Sequence, residues 1–286
     1  MNSPMSLKIA AITMARNDLF FLSRWIEYYG KELGKEHLYI TLDGEDQELP
    51  YNHEGTNIRK VPHRTLSRTQ GDKYRIGLLS DLAAQLFQRG YDRVIGTDAD
   101  EFIIVDPKHG ISLKEYLTHA PISSSLSPLG LDLGQRRQDE PLPLDPTQSI
   151  LAQRRYAVLS SRYTKASILA RPLRWGSGFH RVKGHNFHIA PDLYLVHTGY
   201  CDLEIIVKRA GDSTRIDAGW EAHLGRRART VALTTHSNPI DGDLIFERAR
   251  KLQTIFRPIF ALNKPMMPYS APKVVKLPER FEGTFI

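Results

Sequence analysis

The residues best suited to chemistry in this 286-residue chain are Asp98, Asp100 and Glu101. These three carboxylates interrupt the apolar run Arg93-Val-Ile-Gly-Thr-Asp-Ala-Asp-Glu-Phe-Ile-Ile-Val105. A near-continuous apolar run reads as a buried parallel strand. Charge at the end of such a strand is costly unless something compensates it. Asp98 and Asp100 are two residues apart, so in extended backbone both point the same way. Two like-facing carboxylates offer hard oxygen ligands to Mg²⁺ or Mn²⁺. The plainer alternative is a turn whose acids face water.

The elements that must position these acids follow from periodicity. Residues 7–14 read as a buried strand, and Asn17 or Asp18 is a natural cap for the next helix. In that helix Leu19, Leu22, Ile26, Tyr29 and Leu33 share one face, and Gly34 is the stop. Residues 38–42 form a second strand ending at Asp43-Gly44-Glu45-Asp46. This is a strand–helix–strand unit with a right-handed crossover. A short strand at 57–61 and a long helix from Gln70 to Arg89 continue the alternation. The expected fold class is α/β, a doubly wound sheet flanked by helices. Ligands in such sheets sit beyond the carboxyl ends of the strands, where Asp43, Asp98 and Asp100 all fall.

Further along, Ser112 and Glu115 resemble a capping box, and 122–133 reads as a strand. Residues 134–149 read as a mobile loop able to close over a bound donor. Residues 175–188 hold three of the eleven histidines, and a strand at 193–196 leads to His197. Helices are expected over 203–210 and 241–262, followed by an extended, loosely held tail containing Pro265, Pro268, Pro272 and Pro278.

Composition narrows the classes. A 41% hydrophobic fraction is that of a globular protein. No run approaches the roughly 20 apolar residues of a membrane span, and the N-terminal residues lack a signal-peptide core. The lone Cys201 excludes an internal disulfide and a cysteine zinc cluster. These features favour the cytoplasm. The net charge of +7 points to anionic partners: nucleotide phosphates, an anionic lipid surface or nucleic acid. No nucleic-acid motif is present, which argues against the last.

The ordered set Arg16-Asn17-Asp18, Trp25-Ile-Glu-Tyr-Tyr29, Tyr39-Ile-Thr-Leu-Asp43-Gly44 and Asp98-Ala-Asp100-Glu101-Phe102 resembles the family 2-like glycosyltransferases. The bacterial subgroup with an Asp-x-Asp-Glu-Phe motif is the nearest in kind. His197-Thr-Gly-Tyr200, Asp202, Glu204 and Lys208 resemble its downstream segment. Departures are Asp18 for Glu, Gly44-Glu45 within the usual Asp-x-x-Ser, and Thr198 for an aromatic residue. The resemblance spans residues 7–105 closely and 175–210 more loosely.

The resemblance implies a GT-A-type mixed sheet with a C-terminal helical extension, a nucleotide-sugar donor, and Mn²⁺ or Mg²⁺ on its diphosphate. A divalent ion on Asp98 and Asp100 would act as a Lewis acid on the leaving nucleoside diphosphate. His197 is the third ligand by analogy with the family, or else a structural histidine. Asp43 either binds the base or ribose or merely precedes a turn, and Ala15-Arg16 frames the base. Lys73 and Arg75 either meet the donor or decorate the surface, and Lys208 would neutralise diphosphate charge. The general base for an acceptor hydroxyl comes from His180, His185, His188, Asp132, Asp139 or Glu140, with His180 chosen because nearby glycines allow close approach. Trp175 either stacks on a sugar or fills the core.

The expected organisation is a donor half (1–105), an acceptor half (106–210) and a C-terminal extension (211–286). The expected function is sugar transfer, with inversion, to a glycan or lipid-linked acceptor in surface polysaccharide or glycolipid synthesis, with peripheral association at the inner membrane face. The rival readings are a nucleotidyl- or phosphotransferase and a non-catalytic nucleotide-sugar-binding protein.

Overall fold

The computed structural model describes residues 7–211, 221–267 and 273–286, so Pro268 and Pro272 of the expected tail lie outside the described residues. The chain runs β1 (Ile9–Ala15), α1 (Leu19–Leu33), β2 (Leu38–Asp43), β3 (Asn57–Val61), α2 (Arg68–Gln88), β4 (Arg93–Gly96), β5 (Glu101–Val105), α3 (Leu113–His119), β6 (Ser125–Leu133), α4 (Ile150–Gln153), β7 (Tyr156–Leu159), β8 (Ile168–Leu169), β9 (Ile189–His197), α5 (Leu203–Ala210), α6 (Glu221–His236), β10 (Ile240–Asp241), α7 (Gly242–Ile255) and β11 (Val274–Lys276).

This is a mixed α/β architecture, an 11-stranded sheet flanked by helices. The strand order is β10-β11-β7-β6-β8-β4-β1-β2-β3, with β9 joined to β5 and β6. Strands β4, β1, β2 and β3 run parallel. Strand β8 is antiparallel to both β4 and β6 and links the two parts of the sheet. Strand β11 pairs with β7, so the C-terminal segment adds strands as well as helices.

Strand β1 is buried along its whole length, as its apolar run requires. Helix α1 buries Phe21, Leu22, Trp25, Ile26 and Tyr29 against the sheet. Helix α2 begins two residues before Gln70, because Ser67 and Gln70 form a capping box. Helix α7 ends at Ile255 rather than at 262. Arg257 precedes Pro258, and a residue before proline is pushed out of helical conformation.

The long run at 93–105 is not one strand. It breaks into β4 and β5, and the two strands join different neighbours. Polar groups around this break, the Thr97 hydroxyl and the Ile103 backbone, take partners from α1. The Trp25 indole N–H donates to Thr97 Oγ1 at 2.9 Å, and the Tyr28 hydroxyl donates to the Ile103 carbonyl at 2.6 Å. The Tyr29 hydroxyl accepts from Ile103 N–H at 2.9 Å. The aromatic cluster of α1 therefore offsets the hydrogen-bonding cost of splitting the sheet where the acids lie.

Two expectations of looseness are corrected. Residues 134–149 are strapped down: Arg136 donates to the Thr234 and Ser237 carbonyls, and Arg24 to those of Pro146 and Gln148. The described part of the tail is fastened too. The buried Arg24 guanidinium holds the Ile286 carbonyl at 2.6 Å, and Phe281 is buried in the core.

Candidate functional site

The acids sit in a turn between β4 and β5, where Glu101 N–H donates to the Asp98 carbonyl at 3.1 Å. This corrects the extended geometry expected for Asp98 and Asp100. The turn converges all three carboxylates instead, with oxygens within 4.8 Å of one another.

Strand register adds the rest of the cluster. Glu101 pairs with His197 across β5 and β9, and His197 pairs with Asp132 across β9 and β6. Residues in such a cross-strand row present side chains to one face. The His197 Nδ1 lies 2.7 Å from Asp132 Oδ1, and Thr230 donates to the other Asp132 oxygen at 2.9 Å. A carboxylate that accepts on both oxygens takes the Nδ1–H hydrogen bond and leaves Nε2 as the nitrogen facing Asp100, with a lone pair when the imidazole is neutral. That Nε2 lies 3.6 Å from Asp100 Oδ2 and 3.3 Å from the Tyr163 hydroxyl. Tyr163 stacks on the imidazole with ring centroids 4.1 Å apart. Gly199 is needed here, because a Cβ at that position would collide with the Asp100 carboxylate.

Three cations enter the same cluster. Arg75, in α2, pairs with Asp98 and holds Asp72 at 2.9 Å. Lys165 lies 3.1 Å from Asp98 and 2.5 Å from Glu101. Arg209, in α5, reaches Asp100 at 3.3 Å and Asp18 at 2.8 Å. Burial alone raises the Asp98 pKa, but Arg75 and Lys165 outweigh it and hold the group well below the usual carboxylate range. Burial likewise acts on Asp100, and His197 in its protonated form, together with Arg209, brings it down. Glu101 is fully buried, and its pKa is pushed up to about 7 by that burial against the pull of Lys165.

A divalent ion fits one part of this arrangement. Asp100 and His197 Nε2 supply an oxygen and a nitrogen at a span that bonds of roughly 2.0–2.2 Å could bridge. Asp98 is held on both oxygens by cations, though each oxygen keeps a second lone pair. Glu101 is committed to Lys165.

Ala15 ends β1 beside the end of β2, and Arg16 follows it. The Arg16 guanidinium donates to the Asp43 carbonyl at 2.6 Å and pairs with both oxygens of Asp46. Gly44, at φ 134°, permits that approach. The Asp43 side chain lies 3.1 Å from His63 Nδ1. Asn17 and Gln47 exchange two hydrogen bonds and close the rim. Asp18 stands at the cap position of α1, but its carboxylate makes no cap bond and serves Arg209.

Several candidates fall elsewhere. Lys73 and Lys208 are exposed, while Arg75 and Arg209 point inward. Helical spacing explains this, since a neighbour one or two positions away faces another direction. His180 lies near Lys165 and Lys264, and burial together with these charges pushes its pKa down to about 3. An imidazole that weakly basic is poorly matched to proton abstraction near neutral pH. Trp175 is core: its indole N–H donates to the Ala166 carbonyl at 2.7 Å. Asp139 pairs with Arg136 and Tyr156, and Glu140 accepts from the Arg136 and Arg155 backbone, so both fasten the 134–149 segment. His185 contacts Arg171 at 3.5 Å, and His188 is exposed. Sequence reasoning missed Lys165, Tyr163, Asp46 and Arg209. Only Arg209 carried a signal, as the neighbour of a motif lysine.

No family model matches the chain, and no curated protein sequence matches it. Among solved structures the chain is similar to one titled as a mannose-1-phosphate geranyltransferase from Thermus thermophilus. That likeness has 12% identity and a TM-score of 0.32, and covers 96% of this chain and 77% of the other. At that score it carries no argument about activity.

Proposed function

We propose that this chain is a metal-dependent glycosyltransferase that moves a sugar from a nucleotide-sugar donor to a glycan or lipid-linked acceptor, with inversion, in surface polysaccharide or glycolipid synthesis. One observation carries the reading. His197, held at Nδ1 by Asp132, turns its Nε2 to within 3.6 Å of Asp100 at the carboxyl-end crevice of parallel strands. Carboxylate-oriented imidazoles of this kind are typical of metal ligands.

In this reading Asp100 and His197 hold Mn²⁺ or Mg²⁺, with Asp98 alongside. Bound there, the ion supplies Lewis-acid stabilisation to a departing nucleoside diphosphate. Arg75, Lys165 and Arg209 fix the carboxylates and keep the crevice's net field from becoming strongly negative, which a diphosphate requires. Arg16 and Asp43 frame the base and ribose. Nucleotidyl or phosphoryl transfer through two metals is less well supported, because it needs a further carboxylate and Glu101 is taken by Lys165.

The test is a screen of nucleoside diphosphates and nucleotide sugars for thermal stabilisation, with and without Mn²⁺. Metal-dependent stabilisation by one nucleotide is expected and names the donor base. The reading is lost if no nucleotide raises the Tm under any divalent metal.

A further inference from the structure

The basic charge of the chain is not evenly spread. Residues 146–191 contain eight Lys and Arg and no Asp or Glu, and residues 248–278 contain seven and none. The rest of the chain is net acidic, with 24 Lys and Arg against 32 Asp and Glu. The fold brings the two acid-free stretches together. Strand β7 pairs with β11, and the loop after α7 packs on residues 182–187. In that loop Asn263 donates to the Val182 carbonyl at 3.2 Å, Arg257 donates to Asn186 at 2.5 Å, and the Arg257 guanidinium lies 4.7 Å over Phe187.

The same loop is closed on itself. Met266 N–H donates to the Phe256 carbonyl at 3.0 Å, and Arg257 holds the Leu262 carbonyl at 2.9 Å. Its tip, Ile259-Phe260, points away from the protein. Ile259 is 95% exposed and Phe260 91%, the most exposed large hydrophobic residues among those described, and Leu262 is 63% exposed. Hydrogen bonds at its base hold the loop with its apolar tip in water, where those side chains gain nothing. Arg171 and Lys183 are exposed on the segment beneath it, with Arg181 and Lys264 close enough for their charges to interact.

We propose that this loop is a membrane-docking element: Ile259, Phe260 and Leu262 enter the headgroup region of an anionic bilayer, and the surrounding Lys and Arg bind its lipid phosphates. Apolar insertion ringed by basic residues is the signature of interfacial binding. Each Lys or Arg near such a surface contributes about fivefold in partitioning. The inference is independent of the transferase reading, since vesicle binding needs no donor or metal.

The test is co-sedimentation of the full chain with phosphatidylcholine vesicles containing about 30% phosphatidylglycerol, at low and high salt. Salt-sensitive binding to these vesicles, and at least roughly tenfold weaker binding to pure phosphatidylcholine, are expected. Ile259→Ser with Phe260→Ser should weaken binding about tenfold or more, and Arg171→Glu with Lys183→Glu should do the same. A Phe260→Trp chain should show a blue-shifted emission on anionic vesicles, which reads insertion directly. Absence of vesicle binding by the unsubstituted chain overturns the proposal. So does binding that is undiminished by the serine substitutions but displaced by a soluble polyanion, which makes the patch a site for an anionic glycan. A concentration-dependent dimer abolished by the serine substitutions, without vesicle binding, assigns the tip to self-association and likewise overturns it.

Discussion

The two poles of the β4–β5 turn carry the same residue types to different ends. At one pole Asp98 and Glu101 are closed off by Arg75 and Lys165. At the other, Asp100 faces His197 Nε2 at 3.6 Å and shares Arg209 with Asp18. The first pole is a buried ion-pair network, whose members destabilise the fold if separated. The second has a nitrogen and an oxygen aimed at one point. An acidic motif in sequence therefore does not say which of its carboxylates is structural. Burial and the partners assigned by the fold decide that.

The largest expected effect breaks the closed pole. Lys165→Met strands a fully buried Glu101 and removes one partner of Asp98, a loss of about 3–5 kcal/mol. For a chain of this size that is a fall in Tm of roughly 5–8 °C. Adding Glu101→Gln should recover part of it, because an amide there needs neither a counter-ion nor the uptake of a proton. If Lys165→Met leaves the Tm unchanged, the two poles do not differ as described.

The open pole should respond in the opposite way. Asp100→Asn is expected to cost no more than about 1 kcal/mol of stability in the absence of metal. It should nonetheless abolish Mn²⁺-dependent stabilisation by nucleotide. Asp132→Asn should weaken Mn²⁺ affinity roughly 10- to 100-fold by releasing the His197 tautomer, measured by calorimetric titration. Unchanged Mn²⁺ binding in both variants would remove the proposed site.

These assignments show what could be read from the chain and what could not. Strands β1 and β2 and helix α1 follow from runs and periods, which local backbone preference and burial dictate, whereas the turn that splits 93–105 at the acids does not, because a near-continuous apolar run hides it. His197 was within reach through its motif. Lys165 was not, because 64 residues separate it from Glu101 and only β8, a two-residue strand between β4 and β6, carries its segment to the turn. Asp132 stood among possible bases, but its partnership with His197 depends on a parallel pairing of β6 and β9 that no local pattern encodes. The 134–149 segment read as mobile because its composition is polar, whereas its order comes from side chains of α1 and carbonyls at the end of α6.

His180 separates from both poles by its pH dependence. Its folded pKa is about 3, against 6.5 as an ordinary histidine. The unfolded chain therefore binds a proton between those values that the folded chain refuses, and stability falls as pH drops through that window. At about pH 5 the loss relative to pH 7 is roughly 1–2 kcal/mol. His180→Gln should flatten that limb of a Tm-against-pH profile while leaving nucleotide stabilisation near neutral pH within about threefold. A steep loss of transfer at neutral pH with an unchanged Tm profile would restore His180 as a base.

The smallest effects should come from the two exposed lysines. Lys73→Ala and Lys208→Ala change solvated side chains, and substitutions of that kind usually stay within about 0.5 kcal/mol. Their inward-facing neighbours supply the contrast: Arg75→Lys and Arg209→Lys keep the charge but lose the planar fork that spans two carboxylates. Nucleotide affinity should therefore fall in the arginine variants and hold in the lysine variants. Should Lys208→Ala weaken nucleotide binding as much as Arg209→Lys does, α5 must present both side chains to the crevice when donor is bound. The open pole would then close further on binding.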